Sequence, residues 1–125
     1  MEGDRIRYKE LKEEEKINIE KQLKRHLDNN TKLKISAHAV QRMGQRGIGF
    51  KHVKKLLKTK NYFIDSVTKA DNNICVSIIS NTPLRNKLHL KLVLCLTNYM
   101  IVTAMVKRVK EGDGNNEYER IEKKD

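Results

Sequence analysis

His38, Arg42 and Arg46 follow one another at four-residue intervals, a spacing that puts all three on one side of a helix. An imidazole exchanges protons near neutral pH. A guanidinium holds a phosphate through paired N–H donors. RNA carries its own nucleophile, the 2′-hydroxyl, so its cleavage requires a base, an acid and cations that stabilise the charge on phosphorus. These are the residue types such a reaction uses. On a wheel of about 100° per residue with His38 at zero, Arg42 falls near 40°, Gln45 near −20° and Arg46 near 80°. Ala39, Val40, Met43 and Gly47 fill the other side. The helix is amphipathic, with His38, Arg42, Gln45 and Arg46 on its polar face.

The charge around this stretch is unbalanced. The chain has 27 basic and 16 acidic residues, a net +11. Residues 1–31 carry eight of each, whereas residues 32–60 carry nine basic and no acidic side chain. Ordinary solvated faces mix both signs to limit self-repulsion, so this segment points to a polyanionic partner: nucleic acid first, with an anionic membrane or an acidic protein as alternatives. A second candidate helix continues it. Phe50, Val53, Leu56 and Leu57 make an apolar stripe, and Lys51, Lys54, Lys55 and Lys58 cluster opposite. Two adjacent basic faces suit a phosphate backbone and imply salt-sensitive binding without sequence readout.

The elements that must position these residues are legible from period and punctuation. Asp4 to Leu27 reads as a helix, either folded onto the domain or projecting as a partner-binding arm over residues 1–31. Ser36 is an N-cap candidate for a helix over Ala37 to Gln45 or Arg46, and Gly47 is the natural left-handed residue after it. Phe50 to Lys58 makes the next helix. From residue 61 the period becomes strand-like: Asn61 to Thr68, Ile74 to Ser80, Leu88 to Leu96 and Tyr99 to Arg108, with 81–86 as a loop.

The expected fold class is α+β, with N-terminal helices packed on a four-stranded antiparallel meander. It occupies residues 32–108 and is followed by a flexible charged tail over 109–125. A Thr97-Asn98 turn would pair Leu96 with Tyr99, Leu94 with Ile101, Leu92 with Thr103 and Leu90 with Met105, making the core face. The other face would carry His89 and Lys91.

Cys75 and Cys95 lie in strand-like runs without metal or redox spacing and read as buried free thiols of a reducing compartment. The N-terminus lacks the apolar region of a signal peptide. The longest nearly apolar run, Leu92 to Val106, is short of the ~20 residues of a membrane span. The expectation is a cytoplasmic protein without membrane, metal or cofactor. Neither His26 nor His52 pairs with another histidine at ligand spacing.

The run Ser36-Ala37-His38-Ala39-Val40-Gln41-Arg42-Met43-Gly44-Gln45-Arg46-Gly47-Ile48 resembles the signature H-A-x-x-R-M-x-x-R-G-I of a bacterial and phage family. That family is grouped with RelE-like and barnase/EndoU-like toxin folds, and the resemblance covers residues 33–106. It implies a metal-independent endoribonuclease with His38, Arg42 and Arg46 at the site. It also implies cations on the sheet face away from the helices, here His89, Lys91, Lys87, Arg85 and Arg108, of which His89 is a further candidate catalytic residue beside His38, Arg42 and Arg46. A toxin of this kind would have an acidic antitoxin or immunity protein as partner. The chain departs from the signature after Gly-Ile, where Gly49-Phe50-Lys51-His52-Val53 stands in place of acidic residues. The residues themselves leave two other readings open. One is a non-catalytic regulator that binds nucleic acid or ribonucleoprotein through the basic face of Lys51, Lys54, Lys55 and Lys58; on the ribonuclease reading the same lysines, with Gln45 and Lys91, are the nucleic-acid contacts. The other is an interaction module using the N-terminal helix.

Overall fold

The alternating leucines of residues 88–96 form the centre of the core. In a computed structural model, which describes residues 4–29, 31–70 and 73–109, Leu90, Leu92, Leu94 and Leu96 are all buried on one face of a sheet. The elements in chain order are β1 (Asp4–Arg7), a 3-10 turn (Tyr8–Glu10), α1 (Glu13–Asp28), β2 (Lys34–Ile35), α2 (Ala37–Arg46), α3 (Phe50–Thr59), β3 (Tyr62–Ala70), β4 (Asn73–Arg85), β5 (Leu88–Cys95) and β6 (Met100–Arg108). The class is α+β. The helices bury Ile19 and Leu23 of α1, Ala39 and Met43 of α2, and Val53, Leu56 and Leu57 of α3 in the same core as the leucines.

The sheet is larger than the expected four-stranded meander. It has six strands in the order β1-β3-β4-β5-β6-β2. The central four are the antiparallel meander, β1 is antiparallel to β3, and β2 is parallel to β6. Neither edge strand has a local signature. Asp4-Arg5-Ile6-Arg7 contains one apolar residue and pairs with Ser66–Lys69, far along the chain. Lys34–Ile35 is too short to show a period, and amides at its two ends, Lys34 N–H and Ser36 N–H, donate to Tyr99 O and Ile101 O. The expected helix over Asp4–Leu27 is therefore a strand and a turn before Glu13. Its remainder folds onto the domain, with His26 stacked on Tyr99 and donating from Nε2 to Leu96 O at 2.6 Å.

Register departs from simple arithmetic at β-bulges. Cys95 pairs with Met100 and Leu94 with Ile101 as expected, but Val93 then pairs with Thr103, Leu92 with Ala104 and Leu90 with Val106. The extra residue on β6, Val102, turns Ala104 into the core in place of Thr103. The loop expected over 81–86 is a continuation of β4, interrupted between Ile79 and Pro83. There Ser80 Oγ accepts the Leu90 N–H at 3.0 Å and donates to Thr82 O at 2.8 Å.

The thiols are not free. Cys75 and Cys95 are cross-strand partners on β4 and β5, 4.0 Å apart at Cα, and form a disulfide. The pairing of β4 with β5 brings them together, which their separation in sequence does not reveal. Of the expected tail, Val109 is buried and the rest lies outside the described residues. Among the described residues no helix is long and apolar enough to cross a membrane.

Candidate nucleic-acid interface

The α2–α3 unit is closed at each end by a specific contact. Ser36 Oγ accepts the Ala39 N–H at 3.1 Å, the N-cap its position suggested. Gly47 ends α2 with φ 67°, ψ 34°, a left-handed conformation that a Cβ disfavours. Arg85 closes the same end: its Nη2 donates to Arg46 O and its Nη1 to Gly47 O. A cation beside the carbonyl end of a helix is also favoured by the helix dipole. Ile48 is buried between the two helices in sequence. Gly49 then starts α3, and its N–H is accepted by His52 Nδ1 at 3.0 Å. That is the side-chain half of a capping box, a role for His52 that glutamate or glutamine usually fills. With only Gly47, Ile48 and Gly49 between them, α2 and α3 form a helical layer whose apolar residues, Ala39 and Met43 with Val53, Leu56 and Leu57, share one core.

On this layer His38, Gln45, Lys51, Lys54, Lys55 and Lys58 are exposed, and Arg42 is half-buried. Among the described residues, ion pairs join Arg5 to Asp65, Lys24 to Asp28 and Lys69 to Glu15. No cation of α2 or α3 takes part in one. Among the described residues the exposed cations Lys51, Lys54, Lys55 and Lys58 therefore have no ion-pair partner.

The expected catalytic residues do not all come together. His38 and Arg42 are one turn apart, about 6 Å of rise, while Arg46 is about 12 Å of rise from His38. Arg46 is also engaged: its Nη1 donates to Ala104 O of β6 at 2.8 Å. His89 is on the opposite sheet face, 7% exposed, and bonds through Nδ1 to Ser80 O at 2.8 Å. Lys91 lies on that face too and is equally buried. Of the five cations the resemblance would put on an open sheet face, His89 and Lys91 are inside the protein and Arg85 caps α2. Lys87 and Arg108 are exposed at the end of the β4–β5–β6 hairpins.

A two-proton mechanism needs a second titratable group beside His38. Its neighbours on the polar side of α2 are Gln41, Arg42 and Gln45, none of which exchanges a proton near neutral pH. Tyr99 is in the core and Tyr62 against it, and burial raises both hydroxyls above their ordinary pKa, so both stay neutral. Among the described residues no three His, Cys, Asp or Glu side chains come together as a metal site would require.

Two features escaped the sequence. Val40, assigned to the apolar side of α2, is exposed, and so is Phe50, assigned to the core stripe of α3. The buried side of α2 is centred on Ala39 and Met43, which leaves Val40 beyond its edge. Phe50 sits at the first helical position, one turn ahead of Val53 and Lys54. Compared with family models, curated proteins and solved structures, the chain matches none. The resemblance to toxin-type families therefore rests on the motif residues alone.

Proposed function

We propose that this protein binds RNA through the outward faces of α2 and α3. The observation that carries the proposal is the set of exposed lysines of α3, Lys51, Lys54, Lys55 and Lys58, together with exposed His38 and half-buried Arg42 of α2, none of which has an ion-pair partner among the described residues. Such a surface gains free energy by displacing counterions from a phosphate backbone. An acidic antitoxin-type protein would compete for the same face. Fluorescence anisotropy with labelled RNA tests the reading. Replacing all four lysines by glutamate should abolish binding at moderate salt, and unchanged affinity would remove this face from the function.

Endoribonuclease activity is the second reading. It is favoured by the solvent access of His38 and the position of Arg42 one turn along α2, where one phosphate can meet both. His38 would take the proton of the 2′-hydroxyl as that oxygen bonds to phosphorus, Arg42 would hold the phosphate, and the 5′ oxygen released as its bond to phosphorus breaks would take a proton from water. Cleavage of RNA in EDTA by the wild type, lost in a folded His38→Ala variant, supports it. Binding without turnover leaves the first reading alone.

A further inference from the structure

We infer that Phe50 is a base-stacking platform and that the RNA partner presents unpaired nucleotides to it. The inference rests on the RNA-binding reading and narrows its substrate class. Phe50 is 51% exposed, although its spacing from Val53 and Leu57 would allow burial on the core side of α3. It is the one exposed phenylalanine or tyrosine ring among the described residues. Tyr8, Tyr62 and Phe63 are half-buried and Tyr99 is buried.

On the α3 wheel, at about 100° per residue, Phe50 stands about 20° from Leu57 and about 40° from Lys54. Lys58 and Lys51 follow at about 80° and 100°. An exposed ring thus borders a row of exposed lysines on the same helix. This is the combination that single-strand binders use: cations follow the backbone while an aromatic face receives a base. Every base has such a face, so the contact does not depend on sequence. In a duplex the base faces are already occupied by their neighbours, and the ring would have to unstack them first. The apolar residues that would anchor α3 in a membrane, Val53, Leu56 and Leu57, are buried in the core. One ring beside lysines therefore suits a nucleotide better than a lipid surface.

The chain contains no tryptophan, so Phe50→Trp supplies a single reporter at the proposed platform. Labelled single-stranded RNA and a blunt RNA duplex of equal length are titrated at fixed salt into the wild type, Phe50→Ala and Phe50→Trp, with folding checked by circular dichroism. The expected result is preference of the wild type for the single strand, a loss of about tenfold in Phe50→Ala for that ligand only, and recovery in Phe50→Trp with quenching of its emission. If Phe50→Ala binds both RNAs as the wild type does while the four-glutamate variant binds neither, the platform is overturned and the RNA-binding face stands. If the wild type binds neither RNA, both proposals fall. A blue shift of the Phe50→Trp emission on phosphatidylserine vesicles, without quenching by RNA, overturns the platform in favour of a lipid surface.

Discussion

Arg46 Nη1 donates to the carbonyl of Ala104 at 2.8 Å, tying the last turn of α2 to β6. Among the described residues β2 accompanies β6 only at Met100 and Ile101, so past Ile101 the outer side of β6 is met by α2 in place of a strand. A residue whose spacing suggested phosphate binding therefore supplies a hydrogen bond to the sheet. Removing one partner of a charge-assisted bond costs about 1.5–3 kcal/mol. Arg46→Ala should lower the urea midpoint accordingly, and Arg46→Lys should recover little, because a lysine lacks the planar fork. RNA affinity of the folded variant, measured well below its midpoint, should fall less than that of Lys54→Ala. A larger fall would return Arg46 to the interface.

The Cys75–Cys95 disulfide closes a loop with a sequence separation of 20. Restriction of the unfolded chain by a loop of this size is worth about 3 kcal/mol. Protein kept from reductant and alkylated in denaturant should show no added mass. After reduction it should take two adducts and unfold at lower urea. Two adducts without prior reduction would return both residues to free thiols.

The central meander and the α2–α3 unit were legible because their signals are local. Ser36, Gly47 and the leucine alternation each act within a few residues, and each was found where the sequence put it. β1 and β2 were not legible, because Ile6 and Ile35 gain their partners from Val67 and Ile101 across the fold. The bulge at Val102 is likewise a property of the packed sheet, where burying Ala104 decides the register. The site divided along the same line. Which residues share the polar side of α2 could be read from spacing. That Arg46 would be tied to β6, that His89 would be buried against Ser80, and that Phe50 would lie outside the core all depend on tertiary contacts.

Acid should loosen the attachment of α1. Glu15 Oε2 accepts from Lys69 Nζ of β3 at 2.6 Å. This bond, followed by a backbone N–H from Lys12, holds the carboxyl below its ordinary pKa. A depressed carboxylate pKa stabilises the fold above the unfolded-state value, and that contribution disappears as pH falls through the lower folded-state value. Wild type should therefore melt above Glu15→Gln near neutral pH, and the two should converge once the pH is below both values. Melting temperatures across a pH series check this. A gap that persisted in acid would assign the effect to packing of the glutamine.

Salt should separate the two kinds of contact on α3. For a single-stranded ligand, log K falls with log salt at about −0.7 per neutralised phosphate. Lys54→Ala removes one cation and should make the slope shallower by about 0.7 if that lysine meets a phosphate. Phe50→Ala removes a ring without a charge, so its affinity should be lower at every salt concentration with the slope unchanged. Parallel lines for Phe50→Ala and a shallower line for Lys54→Ala are the expected pattern in anisotropy titrations from low to moderate salt. A changed slope in Phe50→Ala would mean that the ring orders the neighbouring lysines and does not itself receive a base.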